Sequence, residues 1–209
     1  MTGAIGILGG TFDPVHIGHL RLALEMRETL ALDEVRLIPA RVPNLRDKPG
    51  ASPAARVAML ELALAGTTLM LDTRELSRAE RSYTIDTLES LREEVGERPL
   101  CFILGQDAFN RLPDWHRWSE LLDYAHLVIA TRPGYALPAD PRLQELLARA
   151  ITAAELSQRP AGGIVLQPIP LLPVAATDLR ARLKAGRSIE FLTPPSVVDY
   201  IEQHHLYSR

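Results

Sequence analysis

The sequence has little cysteine, no long apolar run and little net charge. A single cysteine, Cys101, among 209 residues excludes an internal disulfide framework and an all-cysteine metal cluster. No apolar stretch approaches the roughly 20 residues of a membrane-spanning helix, and no basic segment precedes an apolar one as in a secretory leader. The net charge of -3 argues against a broad nucleic-acid footprint, which needs a strongly basic face. We therefore expect a cytoplasmic protein without a nucleic-acid or membrane partner.

Short apolar segments alternate with helical patterns along the chain. The segments that read as strands are residues 4–8, 35–38, 69–71, 100–104, 127–130 and 164–166. Several of them are continuously apolar instead of alternating, which is typical of a parallel sheet covered by helices on both faces. The sequence thus predicts an α/β fold with a doubly wound parallel sheet, and residues 1–209 are expected to form a single domain.

Helix-start residues mark several of the intervening helices. The predicted helices cover residues 20–31, a segment after Ser52-Pro53, residues 84–95, a weaker stretch within 138–163, residues 177–184, and a last helix after Thr193-Pro194 that ends near His204. Ligands of doubly wound sheets bind beyond the carboxyl ends of the strands. The residues expected there are Gly9-Gly10, Pro39-Ala40, Gly105 and Thr131-Arg132.

The clearest chemical signal is the string GGTFDPVHIGHL at residues 9–20, directly after the first predicted strand. Glycines at a strand end let the backbone approach an anion, and a helix N-terminus offers unpaired N–H groups with a partial positive charge. His16 and His19 can face one phosphate from the start of the helix. Nucleotidyl transfer needs orientation and charge stabilisation from the protein, and two imidazoles on a triphosphate supply both.

Three other interpretations of this stretch follow from the residues alone. The His-x-x-His pair could bind a metal together with Asp13, although no further histidine or cysteine has a suitable spacing. The stretch could also belong to a noncatalytic ATP-binding module. The letters HIGH occur in class I aminoacyl-tRNA synthetases too, which pair them with a lysine-rich KMSKS loop. No such loop occurs here, and 209 residues leave little room for a synthetase.

The whole string resembles the first ATP motif of the nucleotidyltransferases that carry (H/T)-x-G-H, and in particular that of the nicotinate-nucleotide adenylyltransferases. The resemblance implies a Rossmann-like nucleotidyltransferase fold and a second ATP motif, ISSTxIR, before a late helix. Residues 174–180, VAATDLR, take its place, with Ala175 and Ala176 where the family has serines. Thr177 is a natural N-cap, and with Arg180 it would form another anion site. An ordinary capped helix is the alternative for this segment.

The resemblance implies that the adenylyl group of ATP is transferred to nicotinate mononucleotide, which forms nicotinate adenine dinucleotide and pyrophosphate in NAD biosynthesis. Mg²⁺ would accompany ATP. His16, His19 and Arg180 would be the catalytic residues. The expected ATP-binding residues are Gly9, Gly10, Thr11, Phe12, His16, His19, Gly105, Asp107, Thr177 and Arg180. Related enzymes that use nicotinamide mononucleotide or phosphopantetheine as the acceptor are the alternatives within this class.

Two segments in the middle of the chain resemble the family's acceptor site, namely S-Y-T at residues 82–84 and G-x-D…W at residues 105–115. Trp115 offers a flat face for a pyridinium ring, and a packing role is its alternative. Amides at the helix start after Ser82 favour a carboxylate over a carboxamide. The expected contacts of nicotinate mononucleotide, with the cations on its phosphate, are Arg46, Lys48, Tyr83, Thr84, Ile85, Trp115, His116 and Arg132.

Overall fold

The computed structural model describes residues 3–41, 49–78, 83–131, 138–170 and 172–208. One six-stranded sheet runs through this part of the chain. Its strands are β1 (Ile5–Gly10), β2 (Glu34–Pro39), β3 (Met70–Leu71), β4 (Leu100–Gly105), β5 (His126–Thr131) and β6 (Ile164–Pro168). All neighbours are parallel, in the order β3-β2-β1-β4-β5-β6. The predicted parallel α/β sheet is confirmed.

The central strands are buried along nearly their whole length. Every residue of β5 is buried, and so are the first five residues of β4. A strand covered on both faces has no solvent side, which is why these segments show no polar alternation. The structure moves the end of β1 beyond the predicted Leu8, because Gly9 and Gly10 still pair with β2.

Eight α-helices are seen in the described residues. They are α1 (Ile17–Thr29), α2 (Pro53–Leu64), α3 (Thr84–Val95), α4 (Gln106–Phe109), α5 (Leu121–Tyr124), α6 (Pro141–Leu147), α7 (Ala176–Lys184) and α8 (Pro195–Gln203). The hydroxyl of Ser52 accepts the N–H of Ala55 at 3.2 Å, so Ser52 caps α2 as predicted. The four-residue helices α4 and α5 are too short to produce a helical period, and they were not predicted. None of these helices has the length and apolar character that crossing a membrane requires.

Two predicted helix caps are wrong. Helix α7 begins after Ala175, whose carbonyl accepts the N–H groups of Asp178 and Leu179, so Thr177 is the second helical residue instead of the N-cap. Alanine has the highest helix propensity, which favours this earlier start. Helix α8 begins after Pro194, and the buried hydroxyl of Thr193 donates to the carbonyl of Val15 at 2.8 Å. A tertiary contact thus replaces the local cap.

Helices cover both faces of the sheet. Helices α1, α2, α7 and α8 pack one set of apolar side chains against one face, and α3, α4, α5 and α6 pack a second set against the other. Both faces are therefore closed by apolar contacts. The carboxyl ends of the strands are left as the edge at which polar groups can meet a ligand.

His126, at the start of β5, is fully buried with both ring nitrogens paired. Its Nδ1 accepts the N–H of Gly163 at 3.0 Å, and its Nε2 donates to the carbonyl of Arg159 at 2.9 Å. One nitrogen must accept while the other donates, so the imidazole is neutral in the folded chain. Burial is the main cause that lowers the pKa of His126.

Acid is therefore expected to destabilise the fold through His126. Below about pH 6.5 the His126 imidazole binds a proton in the unfolded state but not in the folded state, so the free energy of unfolding falls as the pH falls. His126→Gln keeps a donor and an acceptor but does not titrate, so chemical denaturation should show a smaller loss between about pH 7 and about pH 5 than in the wild type. His204→Gln, at an exposed position, is the control and should keep the wild-type loss. An equal loss in His126→Gln and the wild type would contradict this account.

Candidate functional site

The strand order reverses at β1, which pairs with β2 on one side and with β4 on the other. Ligands of doubly wound sheets bind at this switch point, beyond the carboxyl ends of the strands. Strand β1 ends at Gly10 and β4 ends at Gly105, so the residues that follow them lie at the same edge of the sheet. The fold therefore brings the string at residues 9–20 to the edge where a ligand is expected.

A buried phenylalanine shapes the loop after β1. Phe12 adopts a φ of 50° and packs against Gly10, where a Cβ atom would lie 3.0 Å from the Phe12 ring. A side chain at position 10 would therefore displace Phe12. Gly9 has more room, because its Cβ would come no closer than 3.7 Å to Phe102. Of the two glycines, Gly10 is the one that this packing requires.

The two histidines of the string stack on each other at the start of α1. Their ring centroids lie 3.6 Å apart, with an angle of 25° between the planes. The backbone N–H of His16 donates to Nδ1 of His19 at 3.3 Å. Because Nδ1 of His19 is an acceptor, the neutral ring carries its proton on Nε2. The predicted pair is thus brought together, with a donor at Nε2 of His19.

His16 is held in its neutral form. It is 4% exposed, and burial lowers its pKa to about 4. Its Nδ1 is buried and makes no hydrogen bond within the described residues. A buried polar atom without a hydrogen-bond partner costs about 1–3 kcal/mol.

Gly18 lets the histidine pair and the second motif pack closely. A Cβ atom at Gly18 would lie 3.0 Å from the His16 ring and 3.4 Å from the carbonyl oxygen of Val174. Interiors packed to this density do not absorb such a group without a shift of a neighbour. The glycine of H-I-G-H is therefore required by the position of His16 and by the approach of residues 174–180.

Arg180 extends from α7 to the loop after β1. Its Nη1 donates to the backbone carbonyl of Asp13 at 2.6 Å, and its Nη2 donates to the hydroxyl of Thr177 at 3.4 Å. The side chain is partly exposed. The two motifs predicted from the sequence thus form one contiguous site.

Asp13 is engaged within the fold in a way that the sequence did not indicate. Its Oδ1 accepts the N–H of Ala51 at 3.0 Å and the hydroxyl of Tyr207 at 2.7 Å, and its Oδ2 accepts the N–H of Gly50 at 2.8 Å. The residue is 4% exposed. The sequence interpretation of Asp13 as a metal ligand is not supported by this geometry, because hydrogen bonds from the chain already occupy both oxygens.

Arg56 is a second functional-site neighbour that sequence reasoning missed. It is 0% exposed, and its guanidinium donates to the carbonyls of Thr11 at 2.7 Å and Arg41 at 3.1 Å. Burial lowers its pKa, while the charge of Asp13 raises it. Arg56 therefore ties the loop after β1 to the end of β2. An arginine inside the mostly apolar segment PAARVAMLELAL was the available signal.

The two segments predicted for the acceptor also meet. The Tyr83 and His116 rings lie 4.4 Å apart, and the Trp115 and Phe102 rings contact edge to face at 6.1 Å. Trp115 is partly buried against the apolar residues of this face of the sheet. Phe102 also lies beside Gly9, so it connects the Trp115 segment with the end of β1.

The remaining predicted site residues differ in position and in the groups that a ligand could contact. Thr84 is the first residue of α3, and the side chain of Ile85 is fully buried, so Ile85 presents its main chain. A Cβ atom at Gly105 would meet nothing within 4 Å, and Asp107 is exposed in α4. The predicted cations Arg46, Lys48 and Arg132 lie outside the described residues.

Comparison with known proteins gives concordant results. The family described as cytidylyltransferase-like matches residues 7–182. The probable nicotinate-nucleotide adenylyltransferase of Cellvibrio japonicus is 49% identical over 210 residues, which cover 99% of this chain and 100% of the relative. The protein of the same name from Pseudomonas aeruginosa is 50% identical over 206 residues, covering 97% and 96%.

Among solved structures, the fold is similar to that of the Plasmodium falciparum nicotinic acid mononucleotide adenylyltransferase complexed with NaAD. The TM-score is 0.76 at 20% identity, over 98% of this chain and 97% of that chain. At this identity the likeness concerns the fold, whereas the bacterial relatives match in sequence over almost their whole length. The chain therefore belongs to the cytidylyltransferase-like family and, within it, to the nicotinate-nucleotide adenylyltransferases.

Proposed function

We propose that this chain transfers the adenylyl group of ATP to nicotinate mononucleotide, forming nicotinate adenine dinucleotide and pyrophosphate in NAD biosynthesis. The observation that carries this proposal is that Arg180 bonds the loop that leads into the stacked His16–His19 pair, at the switch point of the sheet. The proposal is supported by relatives that are 49% and 50% identical to this chain and are named probable nicotinate-nucleotide adenylyltransferases. In this reaction the 5′-phosphate of the mononucleotide attacks the α-phosphorus of ATP in line, and pyrophosphate leaves without a covalent enzyme intermediate.

The protein's contribution would be charge stabilisation by fixed donors. His19 carries a ring donor at Nε2, and the His16 ring stacks against it at the start of α1. Donors that meet the developing charge better than the ground state lower the barrier. Arg180 and Thr177 would hold the outer phosphates, assisted by the positive ends of α1 and α7. The residues predicted around ATP at the ends of β1 and β4 are Gly9, Gly10, Thr11, Phe12, Gly105 and Asp107.

Nicotinate mononucleotide would lie between the start of α3 and Trp115. Main-chain amides at Thr84, Ile85 and His116 would hold the ring carboxylate, because a helix N-terminus favours a negative group over a neutral carboxamide. Trp115 would stack on the pyridinium ring, with Tyr83 beside His116 closing the site. The cations predicted to bind the nucleotide phosphate stay a prediction; they are Arg46, Lys48 and Arg132.

We also propose that the divalent metal of this reaction is Mg²⁺ and that it enters with ATP. Within the described residues, no group of three or more His, Cys, Asp or Glu side chains could hold a metal ion. Mg²⁺ is commonly bound by phosphate oxygens and water with one or two carboxylates, and exposed Asp107 is the candidate. The single domain over residues 1–209, the cytoplasmic location and the absence of nucleic-acid or membrane partners stay predictions.

Pyrophosphate release from ATP tests the reaction directly. The purified chain should release pyrophosphate with nicotinate mononucleotide and much less with nicotinamide mononucleotide, because the amides at the start of α3 favour the carboxylate. Phosphopantetheine should give no release. Turnover with phosphopantetheine and none with nicotinate mononucleotide would overturn the proposed acceptor. ATP binding without pyrophosphate release with any acceptor would favour the noncatalytic module.

His19→Ala is expected to lower kcat by about 100-fold or more, the loss typical for a donor to transition-state charge. His19→Asn is the matched variant, because its side-chain oxygen still accepts the His16 N–H while the group at the Nε2 position is missing. It should fold like the wild type and lose as much kcat as His19→Ala. A change confined to the KM for ATP in both variants would instead indicate binding that is equal in the ground and transition states.

Gly18→Ala should separate activity from stability. The added Cβ presses on the His16 ring and should lower kcat/KM about 10-fold or more. Overpacking costs roughly 1–3 kcal/mol and is only partly offset by the higher helix propensity of alanine, so the thermal midpoint should fall by only about 2–4 °C for each kcal/mol of net cost. Thr29→Ala, at an exposed position near the other end of α1, is the control and should keep the wild-type kcat/KM. An unchanged kcat/KM in folded Gly18→Ala would refute this role of Gly18.

A further inference from the structure

The Asp13 carboxylate collects donors from three separate parts of the chain. The N–H groups of Gly50 and Ala51 come from the entry to α2, the hydroxyl of Tyr207 comes from the end of the chain, and Nη1 of Arg180 lies 3.6 Å from Oδ2. Asp13 is nevertheless an anion placed directly beside the proposed triphosphate site. Its charge must be balanced locally if a polyanion is to bind there.

The backbone after α8 is shaped to deliver Tyr207 to Asp13. The N–H of His205 donates to the carbonyl of Glu202, and the N–H of Leu206 donates to the carbonyl of Ile201, which is the Schellman pattern of a helix end. His205, with a φ of 50°, takes the left-handed position that glycine usually occupies, and Tyr207 has a φ of 60°. Non-glycine residues keep such angles where surrounding contacts hold them.

Tyr207 packs against the same residues that it bonds. A Cβ atom at Gly50 would lie 3.1 Å from the Tyr207 ring and 3.6 Å from Cδ of Arg180, so these side chains converge on Gly50. Tyr207 is buried, and burial together with the bond to Asp13 raises its pKa, so the hydroxyl stays a donor. The hydroxyl is therefore a fixed, neutral donor within the Arg180–Asp13 contact.

We propose that Tyr207 is a positioning residue for ATP, because its hydrogen bond to Asp13 leaves Arg180 available to the triphosphate. With Tyr207, Gly50 and Ala51 satisfying the carboxylate, Arg180 bonds the Asp13 carbonyl oxygen and stays 3.6 Å from Oδ2. Without the hydroxyl, Asp13 becomes a stronger partner for the guanidinium. Arg180 would then turn from the ligand toward Asp13, since charge-assisted pairs are the stronger ones.

This inference rests on the proposed function only because Arg180 is proposed there to bind the triphosphate of ATP. The experiment therefore measures ATP binding as well as turnover. The dissociation constant for ATP is determined by calorimetry, and the KM values for ATP and nicotinate mononucleotide are determined by pyrophosphate release. Tyr207→Phe should weaken ATP binding about 10-fold, the order expected for a hydrogen bond to a charged group. The KM for nicotinate mononucleotide and the kcat should stay within about twofold, because Tyr207 acts on the ATP side.

The matched control is Tyr200→Phe in α8. The Tyr200 ring lies 4.2 Å from the His204 ring, and within the described residues its hydroxyl has no hydrogen-bond partner, so ATP affinity should not change. A purely structural role of Tyr207 predicts a lower thermal midpoint with unchanged ATP affinity in the folded protein. That outcome would overturn the proposal.

A double-mutant cycle with Arg180→Met tests whether Tyr207 affects ATP affinity through Arg180. If Tyr207 acts through Arg180, Tyr207→Phe has no further effect on ATP affinity once Arg180 is replaced, whereas additive losses would refute it. If Tyr207→Phe does not fold, Gly50→Ala displaces the Tyr207 ring from the same contact and should give the same rise in the ATP dissociation constant. If the wild type binds ATP but releases no pyrophosphate, the proposed function is wrong. The effect of Tyr207 on ATP affinity through Arg180 can still be measured in that case.

Discussion

A buried carboxylate, Asp13, joins parts of the chain that lie far apart in the sequence. Its hydrogen bond to Tyr207 spans 194 residues, and its bonds to Gly50 and Ala51 span 37 and 38. A buried anion is stable only if it is paired and hydrogen-bonded, so the shape of the loop after β1 depends on these partners. Arg56 fixes the same loop through the Thr11 carbonyl. The geometry at the start of α1 therefore depends on contacts made by its far neighbours.

The histidine pair shows how the contacts around the loop after β1 prepare groups for charge stabilisation. His16 is neutral because it is buried, and His19 carries its ring proton on Nε2 because its Nδ1 accepts a backbone N–H. The first property arises from the burial of the N-cap residue of α1, and the second from the hydrogen bond between the N-cap backbone and the first turn of α1, with Gly18 leaving the necessary space. A preorganised donor needs no rearrangement when charge develops, which is the main source of electrostatic catalysis. The reversal of strand order at β1 leaves this donor pair at the open edge of the sheet.

Local patterns predicted most of the architecture, and the errors have physical causes. All six strands were expected, and helix α3 begins and ends at the predicted residues, because buried strands and amphipathic helices are encoded in short windows. The cap predicted at Thr193 is wrong because its hydroxyl satisfies the Val15 carbonyl in the interior. The cap predicted at Thr177 is wrong because the helix extends back to Ala176. A predicted cap is overridden where a tertiary contact, or the helix propensity of a neighbouring residue, favours another helix start.

The sequence by itself determined the parallel α/β fold, the family and the histidine pair, because periodicity and the string GGTFDPVHIGHL are local properties that need no coordinates. Only the tertiary structure decided that Asp13 is bonded within the chain, that Arg56 is buried beneath the loop, and that Tyr207 reaches the site. The partner of a buried charge is selected by packing between elements distant in the chain. No local pattern near residue 13 specifies a hydroxyl at residue 207.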